Sequence, residues 1–272
     1  MRVCASSLLL GCSALSDGAL ELLSTGACAS HLLSLDVSHV WQLTDACVPA
    51  LRRCTALQSL TAVKCLRITD QSWQLLVPPP ALTDATQPVV QVDTAAVATG
   101  RMPDAVGAAA STTLSLRTLD LSGCTVGASG MVHLSRAWSR YYRSLPVQPT
   151  AATALPPAAR SIPLLSLSLS DCAAGVTDEA LGALLPWLPA LTHLSLASCS
   201  RLTSAALAHL ARHCRRLRTL HVHQLVDVSE AALVAAVTQL PSLREVGLDE
   251  IPAVTDATLD ALALHCLSLI HI

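Results

Sequence analysis

The side chains best equipped for chemistry gather late in the chain: His193, His221 and His223, followed by Glu245 and Asp249. Two imidazoles and a carboxylate are zinc ligands, so His221, His223 and Asp249 form a candidate metal centre. Without a metal, the same groups make a polar surface whose charge changes near neutral pH. Nucleophilic catalysis also has its raw material, since Cys, Ser, His and Asp all recur, yet each falls where a repeating pattern explains it. No Gly-rich phosphate loop, nucleophile elbow or closely spaced metal motif occurs. An enzyme is therefore not expected, and no catalytic residue, cofactor or resident metal is assigned.

The pattern that carries these groups is clearest from Leu191 to Cys266. LTHLSLASCSRLTSAALAHLARHC, LRTLHVHQLVDVSEAALVAAVTQL and LREVGLDEIPAVTDATLDALALHC stack with their lead leucines, Leu191, Leu217 and Leu243, each 26 residues after the last. Apolar residues alternate at Leu194 and Leu196, then recur at helical spacing at Leu207 and Leu210, so each unit is a short strand followed by a helix. No such unit buries its apolar side alone. Stacked neighbours bury a continuous core, which predicts a solenoid.

Composition narrows the rest. The formal charge is −2, and Lys64 is the only lysine against sixteen arginines, which argues against nucleic acid or an anionic membrane as partner. The chain has no Phe, leaving Leu, Val, Ala and Cys to fill the core, with Trp41, Trp73, Trp138 and Trp187 as its large aromatics. It has no Asn, so the turn after each strand lacks an amide ladder. Cys12, Cys65, Cys124, Cys172 and Cys199 fall at that turn, while Cys28, Cys54, Cys214 and Cys266 close helices. All are expected to act as small buried hydrophobes, the turn thiols donating weakly to backbone carbonyls. An odd total of eleven speaks against a disulfide framework and for a reducing compartment.

Two segments imitate something else. MRVCASSLLLGC looks like a short export signal, but its apolar run is brief and Cys12 begins a run in full repeat register. Ala180 to Ser200 is uncharged over 21 residues, yet it contains Pro186, Pro189 and His193 and straddles a helix and a strand, so no membrane span is expected.

About eight repeats are predicted over residues 1–272, interrupted by low-complexity insertions at 78–112 and 139–162, both placed after a helix and before a strand. The first helix is predicted over Asp17 to Thr25, and the one after Cys124 over Ala128 to Trp138. Tyr141 and Tyr142 are expected to pack across a last helical turn. Thr44-Asp45, Thr69-Asp70, Thr177-Asp178 and Thr255-Asp256, with Ser16-Asp17 and Ser229-Glu230, place a hydroxyl N-cap before an acid in a first turn. Arg52, Arg53, Arg212, Arg215 and Arg216 lie at the opposite helix ends, where cations oppose the negative pole.

The turn cysteine, the hydrophobe-[Thr/Ser]-[Asp/Glu] step and L-x-x-L-x-x-x-C in 26-residue units resemble the cysteine-containing leucine-rich repeats of F-box proteins. The resemblance covers nearly the whole chain apart from the insertions. It implies an α/β fold: a right-handed leucine-rich-repeat solenoid, a horseshoe with parallel strands on the concave face and helices on the convex face. It also implies that an F-box binds the adaptor of a cullin-type ubiquitin ligase while the horseshoe captures the protein to be modified. No F-box-like segment precedes the first repeat here, and the array is expected to continue past both ends of this sequence.

In such a horseshoe the residues between the core positions of each strand face inward. Among them Asp36, Ser38, Thr61, Asp120, Ser168, Ser170, His193, Ser195, His221, His223, Glu245 and Asp249 are the candidate partner-binding residues. Equivalent positions adjoin across parallel strands about 4.8 Å apart, which sets His223 beside Asp249 and His221 between Ser195 and Gly247. The expected function is non-enzymatic protein recognition. The resemblance refines it to the substrate-binding repeats of an F-box subunit of an SCF-type ubiquitin ligase in ubiquitin-dependent degradation, in the cytoplasm or also the nucleus. The alternative is a scaffold or regulatory adaptor unrelated to ubiquitin. Either way the partner is a protein, with a ligase adaptor added under the first reading, and neither nucleic acid nor membrane is expected.

Overall fold

A computed structural model of the chain describes residues 5–8, 12, 14–77, 116–144, 162–172 and 175–271. Eight parallel strands form one sheet in chain order. They are β1 (Ala5–Leu8), β2 (Leu32–Asp36), β3 (Ser59–Thr61), β4 (Thr118–Asp120), β5 (Ser166–Ser168), β6 (His193–Ser195), β7 (Thr219–His221) and β8 (Glu245–Gly247). The helices that return the chain are α1 (Asp17–Thr25), α2 (Val48–Arg53), a 3₁₀ segment at Asp70–Leu76, α3 (Ala128–Ser144), α4 (Asp178–Leu184), α5 (Ser204–His213), α6 (Glu230–Thr238) and α7 (Asp256–His265). Parallel strands sit about 4.8 Å apart whereas packed helices need about 8–10 Å, so stacking these units curves the array with its sheet inside. This is a leucine-rich-repeat solenoid.

One row of side chains shows how the core is built. Leu35, Leu60, Leu119, Leu167, Leu194, Leu220 and Val246 are partners in unbroken register from β2 to β8, and all are buried. The register holds across both insertions. The first lies outside the described residues, as does most of the second. Residues 139–144 of the second continue α3, which runs six residues past the predicted Trp138. The extension carries Tyr141 edge-on against Trp138, their ring centroids 5.7 Å apart. Trp138 also lies beside Trp187, giving the helix an aromatic contact that holds its end down; the side chain of Tyr142 lies outside the described residues. The signal-like N-terminal stretch contributes β1, paired with β2. Ala180 to Ser200 divides into the end of α4, a 3₁₀ turn and β6, and no helix among the described residues is long and apolar enough to cross a membrane.

The turn after each strand repeats one conformation. His39, Lys64, Gly123, Asp171, Ser198, Gln224 and Glu250 have positive φ, and the next residue is Cys or an aliphatic in its place. Each of Cys65, Cys124, Cys172 and Cys199 donates its thiol to a carbonyl of the preceding repeat, those of Val37, Ala62, Leu121 and Leu169, at 3.3, 2.9, 3.3 and 3.1 Å. Thus the thiol does the work expected of an amide in this turn. Burial pushes Cys124 and Cys199 up to about 12 and Cys172 to about 11. It does the same, to about 12, for Cys214 and for Cys47, a core position outside the sequence pattern. Cys12 and Cys28 depart from the expectation, since both are exposed. Cys28 lies two residues beyond Gly26, the C-cap of α1, where its exposed thiol donates to Leu23 O at 3.7 Å.

The Thr-acid step also does more than cap its own helix. Thr44, Thr177, Ser229 and Thr255 accept an N–H of their own first turn, as predicted, and Thr203, which no acid follows, does so too; Ser16 and Thr69 do not. In addition, the acid of one repeat reaches the cap of the next. Asp17 accepts both the N–H and the hydroxyl of Thr44, at 2.9 and 2.7 Å, and Asp178 does the same for Thr203, at 3.0 and 2.6 Å. Asp45 holds Thr69, Asp70 holds Gly127 and Ser129, and Glu230 holds Thr255. Arg53 adds a second tie, to Glu21 and Ser24 of α1. The acids are therefore inter-repeat clamps. Replacing Asp178 by Ala should lower stability by about 1–2 kcal/mol in urea unfolding, and Asp256→Ala should cost less because no described N-cap follows it. Mass spectrometry after brief iodoacetamide treatment at about pH 8 should find Cys12 and Cys28 alkylated in the native state, and the buried thiols modified only after denaturation.

Candidate functional site

The sheet face turned away from the helices carries three rows. Asp36, Thr61, Asp120, Ser168, Ser195, His221 and Gly247 are register partners along the middle. Ser34, Ser59, Thr118, Ser166, His193, Thr219 and Glu245 form a second row, and the third follows two residues after the middle one. Most of these side chains are half-buried, while His193 and Asp249 are exposed. Ser38 is an exception among the candidates: it is buried, its N–H donates to Asp36 and its hydroxyl accepts the Val63 N–H. Ser38 thus closes a turn and presents little to a partner.

Much of the polar surface is bonded to itself. Asp120 accepts from the N–H and hydroxyl of Ser122, at 2.9 and 2.6 Å, and that hydroxyl lies 2.7 Å from Ser168 Oγ. Ser170 and Ser195 pair at 2.6 Å. Short side chains tied in this way lose little further freedom when covered.

The C-terminal end differs. His223 Nδ1 lies 2.6 Å from Asp249 Oδ2, and His223 Nε2 faces His221 Nδ1 at 3.3 Å. The ring planes are near-parallel, at 19°, with centroids 5.4 Å apart. His221 Nε2 is 3.8 Å from Glu245 Oε1. Gly247 makes room for both rings, because a Cβ there would come within 2.2 Å of His223 Cε1 and 2.8 Å of His221 Nδ1. The sequence held this signal: Gly stands where every other strand has a side chain. His193, by contrast, turns to Thr192 Oγ1 at 2.8 Å and adjoins Thr219 in register, so two of the three histidines come together.

This geometry corrects the candidate metal centre. Asp249 occupies the nitrogen of His223 that points away from His221, so the three groups do not converge on one point. No set of three or more His, Cys, Asp or Glu side chains among the described residues is grouped to hold an ion. Among the described residues, cavities of about 360 and 290 Å³ lie on the helix side, one between Asp70–Leu76 and α3, another between α3 and α4.

No family model matches this chain, and no curated protein matches it. Among solved structures, it is similar to a crystal structure of a complex of Rad7 and Elc1 in yeast, with 16% identity and a TM-score of 0.43, over 99% of this chain and 75% of the other.

The facing of β6 is open to direct test. Leu196→Asp should unfold the C-terminal half by placing an unpaired charge among buried leucines, whereas Ser195→Asp keeps an acceptor for Ser170 and should leave the circular dichroism melting curve nearly unchanged. Equal damage from the two would reverse the assignment of the open face.

Proposed function

We propose that this chain recognises another protein through the open face of its sheet and catalyses no reaction. The observation that supports this reading is the face itself: three continuous rows of mostly small polar side chains, many already bonded to one another, along seven paired strands. Such a surface offers area and shape to a macromolecule. Many side chains with catalytic potential are otherwise engaged: the turn thiols of Cys65, Cys124, Cys172 and Cys199 are buried, and Asp17, Asp45, Asp70, Asp178 and Glu230 bond the helix start of the next repeat.

The finer proposal, drawn from the sequence resemblance, is the substrate-binding repeat region of an F-box subunit of an SCF-type ubiquitin ligase, acting in the cytoplasm or nucleus. The turn thiol bonded to the preceding repeat is the feature that favours it. A scaffold or regulatory adaptor outside the ubiquitin system is the second reading, favoured by the same face without a ligase adaptor.

Affinity purification of the full-length gene product separates these readings. The variant Ser168→Arg/Ser195→Arg should lose the captured protein by about tenfold or more, while Ala208→Arg on the exposed side of α5 should retain it. A ligase adaptor should co-purify with all three forms. Its absence under mild salt would leave the scaffold reading, and equal loss from both variants would move the binding surface off the sheet.

A further inference from the structure

Asp249, His223, His221 and Glu245 lie in one line across β7, β8 and the following turn, and the hydrogens they share can be counted. Two hydrogen bonds join them, Asp249 to His223 Nδ1 at 2.6 Å and His223 Nε2 to His221 Nδ1 at 3.3 Å, and His221 Nε2 stands 3.8 Å from Glu245, an ion-pair distance too long for a hydrogen bond. Each hydrogen bond needs one hydrogen. A neutral imidazole carries one N–H, so two neutral rings supply both. Asp249, the nearest acceptor, fixes the hydrogen on His223 Nδ1; His221 then donates from Nδ1 and turns a lone pair toward Glu245. One added proton on that free nitrogen keeps both hydrogen bonds and places a single positive charge between two carboxylates. A second sets N–H against N–H across the middle link and puts two positive rings side by side.

We infer that His221 and His223 act as one unit that takes up a single proton between Asp249 and Glu245 and parts on the second, making this end of the open face responsive to pH. The near-parallel rings bring the two nitrogens within 3.3 Å of each other. Gly247 supplies the floor on which both rings lie, and its Cα hydrogen is all the space allows. The imidazoles are sheltered, with side chains 31% and 29% exposed, while Asp249 is 82% exposed. The proton therefore sits in the drier middle of the chain.

The charged neighbours act in both directions. Arg218 and Arg244, at the starts of β7 and β8, oppose uptake of a proton, as does any charge on His193 of β6 or on His271, whose backbone pairs with Glu245. Glu250, in the turn after β8, favours it, though Gln224 Nε2 donates to that carboxylate at 2.8 Å. The step is an acid–base equilibrium with water in which only an N–H bond forms. Its effect on a partner rests on the recognition reading; the titration itself does not.

Imidazole nitrogen NMR of the intact chain across pH tests the unit. His221 and His223 should move together in two separated steps, with the coupling across the middle link lost at the acid end. Asp249→Asn should shift the first step toward acid. Gly247→Ala should separate the rings and give each its own single step, with circular dichroism checking the fold; should that variant misfold, exposed Asp249→Asn decides alone. Independent single steps for the two histidines in the unaltered protein, or curves unmoved by Asp249→Asn, would overturn the inference. Joint titration in a chain that binds no partner would leave the proton unit standing and remove only the recognition reading.

Discussion

Every repeat here is completed by its neighbour. The leucine at the centre of one strand is buried only because its register partners lie on either side, and the carbonyl that begins one turn is met by the thiol of the next. Acids at helix starts repeat the arrangement on the other side of the molecule, so sheet, turn and helix layers are each stitched across the same boundary. In such an array stability is close to a sum of unit and interface contributions, and the interfaces carry most of it. A change at one boundary acts on two repeats and leaves distant ones alone.

Three kinds of contact share each boundary, and they differ in what they ask of the sequence. Backbone pairing asks only for register. The turn contact asks for a small donor that tolerates burial, which Cys meets and which Leu225 and Ile251 replace with plain apolar contact. The helix contact asks for an acid followed, one repeat later, by a hydroxyl N-cap. Where Ser204 stands in the acid's place, it accepts the Ser229 N–H at 2.9 Å, a neutral version of the same clamp. Where Ala128 stands there, Thr177 keeps only its own helix, and the Trp138 and Trp187 rings lie between those two units.

The sequence shows the 26-residue spacing, the strand facing and the bounds of α1 because each is a pattern of apolar residues at fixed intervals, and register follows from such a pattern alone. The turn thiols were legible for the same reason. The inter-repeat role of the acids was not, since a Thr-Asp pair reads as a complete local cap until the neighbouring helix is in place. Nor was the burial of Ser38, which depends on the Val63 amide of the next strand. The pairing of His223 with Asp249 followed from strand spacing, but the contact of His223 with His221 required a side-chain rotation that only Gly247 permits. The last six residues of α3 were hidden because the Ala/Pro/Thr-rich stretch after them diluted the helical period, although the packing of Tyr141 across a last helical turn was legible.

The uniform turn has a chemical corollary through its second member. Lys64 holds the left-handed position between β3 and Cys65, is exposed, and rests its stem over Gly123, where a Cβ would lie 2.9 Å from its Cγ. As the only lysine in the sequence, it offers the one side-chain amine to which acyl transfer, isopeptide ligation or amine-directed labelling can attach. A conjugate at this side chain would stand on the rim of the sheet beside the face proposed to bind.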